Sequence, residues 1–516
     1  MRKNVFATVS RAASVLRSGA SGLFRAAVAL HRGIPRFSRA VAFPVALLAL
    51  SFSVGAARAQ TTPTERAAAA DVVRSIDELE ARLAPSKLAA RLVGRDADAK
   101  DAIMSEVERL WYEELQSVSD YIGEHPEPGF KEYETVDTLS KILESYGFEV
   151  EKGVAGLETA FEATWVSPAG SDGPGLGIIV EYDALRGTTE DYHGCQHNAQ
   201  SPVGFAAAFA LARYMAEHDR AGSIHIYGTP AEEMGPPSKV IMHKAGIFND
   251  ADILIRSHGS GETSRNRAGF GVCCLNINEV RYIFTGRPAH QRQSWAGRNA
   301  LAAAVQFYTS VDHLRPTFRP EAVIQGIISE GGKAPNVVPD RAVADYYIRY
   351  PDEVYLAHMD SMIANAARAA ALATGTEVEI DVYGEYRDGI TLGTLEELSF
   401  AYAKKLGAPN INPEPQRPAG YEETGFVTRD IPGVGVSVYS SSAPGHSYER
   451  WRDSMMEVGH TGFLLDAKIM SAVLYDFLEN PDFRRKVAEE HGTMAGLFDQ
   501  YLEGLRKAYA EETGIY

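Results

Sequence analysis

His193-Gly194-Cys195-Gln196-His197-Asn198 is the stretch on which the reading of this chain turns. The apolar run 176–180 precedes it and reads as a buried strand. The alanine-rich segment 202–218 follows it and reads as a helix. A Cys-x-His pair therefore sits on a strand-to-helix loop, and thiolate and neutral imidazole are good ligands for a first-row divalent metal. Two further runs repeat the arrangement: Glu232 and Glu233 follow the strand-like 223–227, and His258 follows 253–255. Three strand C-termini thus present ligand-type side chains, and open α/β sheets build their sites along that edge.

The chain has 516 residues and 45% hydrophobic content, enough for a large core and about three domain-sized units. Residues 1–59 differ from the rest. They carry nine Lys or Arg and no Asp or Glu, an apolar run over 41–50, and Ala57-Arg58-Ala59 before Gln60. Basic n-region, short h-region and A-x-A site predict a signal peptide, and a periplasmic or secreted protein; the Arg-rich, acid-poor composition also fits organellar import. Removing these residues takes the net charge from −17 to −26. So acidic a chain is a poor partner for nucleic acid or an anionic membrane. Three cysteines, two of them the neighbours Cys273 and Cys274, imply no disulfide framework.

Along the mature chain, 60–98 reads as an exposed helical extension. Strand–helix alternation over 99–275 predicts a mixed or parallel sheet covered by helices. Over 276–385 the order becomes strand, helix, strand, strand, helix, strand, a ferredoxin-like α+β unit inserted into the first domain. The first domain resumes over 386–485, where a short strand leads to His446, and 486–516 is an amphipathic helical tail.

Six motifs in order now carry a resemblance. They are His125-Pro126-Glu127-Pro128-Gly129-Phe130, Gly194-Cys195-Gln196-His197-Asn198, Gly228-Thr229-Pro230-Ala231-Glu232-Glu233, Gly286-Arg287-Pro288-Ala289-His290, the segment 330–340 around Asn336, and Pro444-Gly445-His446-Ser447. The chain resembles the M20 family of metallopeptidases and amidohydrolases, above all its aminobenzoyl-glutamate hydrolase-like branch. The resemblance implies a mixed-sheet, zinc-peptidase-like α/β catalytic domain with an inserted lid and dimerisation domain, a homodimer, and two divalent ions, manganese or zinc. It implies hydrolysis of the amide bond of a small N-acyl or N-aroyl amino acid or peptide-like substrate.

Carried over residue by residue, the resemblance makes Cys195, His197, Glu233, His258 and His446 the metal ligands and Glu232 the general base. His290 reaches the scissile carbonyl from the inserted domain, often across a dimer. Asn336 is the position that contacts a substrate carboxylate, and Arg349 is assigned to substrate binding with it. Asp183 and His193 are expected behind the ligand loop; His193, Arg298, Arg349 and His460 each stand open between a site role and structural hydrogen bonding. Gln196 replaces the family's usual Gly and is expected to reshape the floor of the site.

Other readings are an M20-type dipeptidase or aminoacylase, a Cys195 nucleophile with His193 or His197 as base, and a non-catalytic binder. The nucleophile reading leaves Glu232, Glu233, His258 and His446 without a role. An intact Glu232 argues against the binder.

Overall fold

The computed structural model describes residues 62–271 and 275–513. The expected signal peptide over 1–59 and the Cys273-Cys274 pair lie outside them. Three helices open the described chain: α1 (Pro63–Leu83), α2 (Pro85–Gly94) and α3 (Ala97–Leu110). Thr62 and Glu65 start α1 with reciprocal bonds, the Thr62 hydroxyl accepting from Glu65 N at 3.1 Å and the Glu65 carboxylate accepting from Thr62 N at 2.7 Å. The expectation of an exposed helix here is overturned. Ala69, Val72, Ile76, Leu79 and Leu83 form a buried stripe at three-to-four spacing, and the alanine and charged residues between them mask it in the sequence. Truncating such a leucine to alanine costs about 2–5 kcal/mol, so these helices belong to the core.

Among the described residues, six strands form the main sheet: β1 (Glu149–Lys152), β2 (Phe161–Val166), β3 (Gly175–Val180), β4 (Ser223–Gly228), β5 (Ile253–Ser257) and β12 (Gly433–Val436), in the order β1-β2-β4-β3-β5-β12. β4, β3, β5 and β12 run parallel, while β2 joins β4 antiparallel. The sheet is therefore mixed and the fold class α/β. Every residue of β3 is buried, as its unbroken apolar run requires of a central strand. Ile178 and Ile226 face one core, shared with helix α4 (Gln200–Glu217). Ile179, Tyr227 and Leu254 face the other, against Met242 and Phe248.

A second sheet follows from β7 (Asn276–Thr285), β8 (Val323–Glu330), β9 (Arg341–Tyr350) and β10 (Glu377–Tyr386), ordered β10-β7-β9-β8 and antiparallel throughout. Helices α5 (Ala300–Leu314) and α6 (Glu353–Thr374) fall between its strands, which completes the ferredoxin-like order. Period-2 alternation sends Tyr282, Phe284, Ala344 and Tyr346 into a core with Phe307 and Ile363. The opposite face leaves Ile327 and Tyr347 exposed. The chain enters and leaves this unit through a two-stranded ribbon, β6 (Gly269–Gly271) paired antiparallel with β11 (Gly389–Thr391).

The return to the main sheet brings α7 (Gly393–Lys405), α8 (Tyr448–Ser454), α9 (Glu457–Glu479) and α10 (Pro481–Thr513). α9 packs on α4, and the 33-residue α10 packs on α1. The Tyr501 hydroxyl reaches Glu65 at 3.4 Å, and the Tyr509 hydroxyl bonds Asp352, the cap of α6. The tail is a clasp between the first helix, the main domain and the insert. At its centre is a buried carboxyl pair. Glu490 accepts from Gly393 N at 2.6 Å and Thr394 N at 3.2 Å at the start of α7, and Glu80 lies against it.

Burial first, then the neighbouring Glu490, raises the Glu80 carboxyl well above the usual carboxylate range; Glu397 and Asp77 add to the effect. A carboxyl with a raised native pKa keeps a proton that the unfolded chain has released. Its contribution to stability is complete below the unfolded value of 4.5 and is lost as pH rises toward the native value. Glu80→Gln is therefore expected to melt above the wild type at pH 8 and together with it near pH 5. Calorimetry across that range checks this, and a wild-type advantage at pH 8 would contradict it.

Candidate metal centre

The C-terminal ends of β3, β4, β5 and β12 meet along one edge, and the loops leaving them carry the expected ligands. After β3 come Glu181, Asp183 and the loop with Cys195 and His197. β4 leads to Glu232 and Glu233, β5 to His258, and β12 to His446. The ligand atoms of Cys195, His197 and His258 lie within 4.8 Å of one another, and so do those of Cys195, Glu233 and His446. Cys195 is common to both groups. A third group, His197, Glu232 and Glu233, adds the expected base.

Asp183 fixes this arrangement. One carboxylate oxygen lies 3.0 Å from His197 Nδ1, and the other accepts from Glu233 N at 2.9 Å. The first bond directs His197 Nε2 into the group, where it has no hydrogen-bond partner. Glu233 Oε1 is buried and equally without one. His258 Nδ1 bonds Gly259 O at 2.9 Å, leaving Nε2 for the ligand group. Burial, then Arg256 and His197, lowers His258 to about 4, so it is neutral. Buried, unpartnered N and O donors beside a thiol fit divalent ions of the zinc or manganese type.

Burial pushes the Cys195 thiol up to about 12, with His197 pulling against it. A thiol held so high is inert as a nucleophile at neutral pH. His193, one base offered for that chemistry, is buried and lowered to about 3, first by burial and then by His197. Burial works to lower His197, the other base offered, but Asp183 and Cys195 outweigh it and raise the ring well above the usual imidazole range. Glu232 is raised well above the carboxylate range by burial, then by Glu423 and Glu181, a carboxyl disposed to hold a proton.

The structure reveals a buried charge network that sequence reasoning misses. Lys239 Nζ lies 2.6 Å from Glu181, 3.3 Å from Glu422 and in contact with Glu423. Arg256 reaches Glu181 at 3.0 Å and Glu423 at 2.9 Å, and Glu181 lies 3.4 Å from His197 Nε2. The sequence carries one signal of it: Arg256 interrupts an otherwise apolar strand. Gln196 holds φ 66° and is fully buried between the ligand loops.

The inserted domain holds the remaining expected residues. His290 and Asn336 come together at one end of it. His290 bridges to Val337, and Gln291 N donates to Asn336 O at 3.0 Å. Both side chains are exposed, outside the ligand groups. Arg349 lies at the other end of β9, paired with Ile277 and over the Tyr347 ring, and not with Asn336. Arg298 donates to Gly297 O at 2.8 Å, and His460 pairs with Asp120 at 2.7 Å.

Residues 270–374 match the peptidase dimerisation domain of the M20 peptidases. The chain is 31% identical over 392 residues to the Xaa-Arg dipeptidase of Mus musculus, covering 73% of this chain and 89% of that one. It is also 31% identical over 313 residues to one of the p-aminobenzoyl-glutamate hydrolase polypeptides of Escherichia coli, covering 58% of this chain and 63% of that protein. Its fold is similar to that of a dinuclear metal-binding M20 peptidase of Bacillus subtilis, with TM-score 0.50 and 19% identity over 72% of this chain and 99% of that one.

Asp183→Asn keeps the shape but exchanges one acceptor oxygen for a donor. Partners behind metal ligands typically contribute about 10–100-fold in metal affinity. A loss in that range is expected from chelator competition, with the fold intact; unchanged affinity would remove Asp183 from this role.

Proposed function

The chain belongs to the M20 family of metal-dependent peptidases and amidohydrolases, and we propose on that footing that it hydrolyses small N-acyl or N-aroyl amino acids, or dipeptide-like amides, at the Cys195–His446 group. The observation that carries this is Glu232 standing beside five ligand-type side chains on one sheet edge. The relatives named for p-aminobenzoyl-glutamate and for Xaa-Arg dipeptides bring the substrate class to this chain.

Cys195, His197 and His258 would hold one ion and Cys195, Glu233 and His446 the other, manganese or zinc. Such a pair supplies an acidified water and an electrophile for the carbonyl oxygen. Glu232 takes the proton from the attacking water and returns it to the leaving nitrogen. His290 donates a hydrogen bond to the developing oxyanion, a contact worth about 3 kcal/mol. His290 lies outside the ligand groups, so we assign it to the site of a partner subunit in a homodimer. Asn336, beside it, binds the substrate carboxylate. We read the signal-like residues 1–59 as an export signal to the periplasm or the cell exterior, with organellar import as the alternative.

Metal-replete protein is expected to carry two equivalents of metal, to lose activity on chelation, and to regain it with manganese or zinc. Glu232→Gln should keep its metal and lose about 10²–10⁴-fold in kcat against a panel of N-acyl amino acids and dipeptides. Activity near wild type would end the assignment. Mixing Glu232→Gln with His290→Ala subunits should restore part of the activity, because each mixed dimer carries one complete site. No recovery in verified mixed dimers would rule out the arrangement across subunits.

A further inference from the structure

One buried cation touches three of the four loops that carry the ligands, those after β3, β5 and β12, and has no part in the chemistry derived above. Arg450, in α8, is 7% exposed. Its Nη2 donates to Gly259 O at 2.6 Å, and its Nη1 to Ala443 O at 3.4 Å. The Arg450 carbonyl accepts from Gln196 Nε2 at 3.1 Å. Gly259 follows His258, Ala443 stands three residues before His446, and Gln196 lies between Cys195 and His197. Gly259 O is also the acceptor that orients His258 Nδ1, so one carbonyl receives both the guanidinium and the imidazole.

Gln196 completes the tie. Its Oε1 accepts from the Ser440 hydroxyl at 2.7 Å, on the loop between β12 and His446. A Cβ on Gly259 would stand 2.1 Å from that same oxygen, so the close approach of the two loops requires glycine there. The left-handed φ of 66° at Gln196 is uncommon for a residue with a Cβ. Two hydrogen bonds and full burial hold it there. Arginine suits the post because a rigid fork can serve two carbonyls at once.

We propose that Arg450 and Gln196 form a clamp that positions the Cys195, His258 and His446 loops as one unit, and thereby sets the affinity and coordination geometry of the metal centre. The clamp rests on the two-metal reading of that centre. It makes Arg450 a positioning residue, acting through Gly259 O on the His258 ring and through its own carbonyl on the Cys195 loop.

The test compares wild type, Arg450→Met, Arg450→Lys and Ser440→Ala, each stripped of metal by a chelator and checked for a native melting transition. Zinc affinity is measured by competition with a chromophoric chelator. Coordination geometry is read from the absorption bands of the cobalt-substituted protein. Arg450→Met is expected to bind zinc about 10–100-fold more weakly with altered cobalt bands, and Arg450→Lys, which keeps a cation and a donor, to fall between it and wild type. A folded Arg450→Met with wild-type zinc affinity and cobalt bands overturns the clamp alone. Should Arg450→Met fail to fold, Ser440→Ala decides: several-fold weaker zinc binding supports the clamp, and unchanged binding overturns it. A wild type that binds no divalent ion overturns the two-metal reading and the clamp with it.

Discussion

A single carboxylate holds two strand ends in register with each other. Asp183 places one oxygen on the His197 ring and the other on the Glu233 amide, so the loop after β3 and the loop after β4 cannot move independently. The rest of the site is built outward from that contact. The parallel strands bring His258 and the His446 loop to the same edge. A buried carboxylate of this kind is tolerated because both oxygens are partnered.

Electrostatics beneath the site follow from the same burial. Among the described residues, Glu181, Glu232, Glu422 and Glu423 surround Lys239 and Arg256. Two cations cannot satisfy four ionised carboxylates, and the acids divide accordingly. Burial works to raise Glu181 and Glu423, but Lys239 and Arg256 outweigh it and hold both low. In Glu232 and Glu422 burial prevails and the carboxyls are raised. Loss of one partner from such a buried group costs about 3–5 kcal/mol. The network stands directly beside Glu232, whose carboxyl burial raises first and Glu423 and Glu181 raise further.

The fold is legible in the sequence where one physical rule governs a whole segment. Apolar runs give β3, β4 and β5, ligand-type residues past their ends give the site, and the switch to period-2 alternation marks β7. It is illegible where distant segments share one contact. Nothing local to Gln196 reveals that its amide spans from Ser440 to Arg450, because those partners lie 244 and 254 residues away in the chain. The helix α1 misleads for a related reason. Its apolar stripe is short on bulk, and the surface that covers it, α10, comes from the opposite end of the chain. The exposed pair His290 and Asn336 is identified by motif alone; burial and hydrogen bonding within one protomer would not single it out.

The ribbon of β6 and β11 carries a further meaning. Gly271 and Gly389 are direct partners across it, so the inserted unit departs from the main domain and returns to it at one point. Its sheet and two helices pack together around Phe307 and Ile363. Such a unit is a cassette: a short linker joining Gly271 to Gly389 would span the gap that its removal leaves. The main sheet would lose no strand by that excision, since β1 to β5 precede the junction and β12 follows it. What excision would cost is the clasp's hold on the insert, where the Tyr509 hydroxyl bonds Asp352, and the pairing of Arg429 with Glu353.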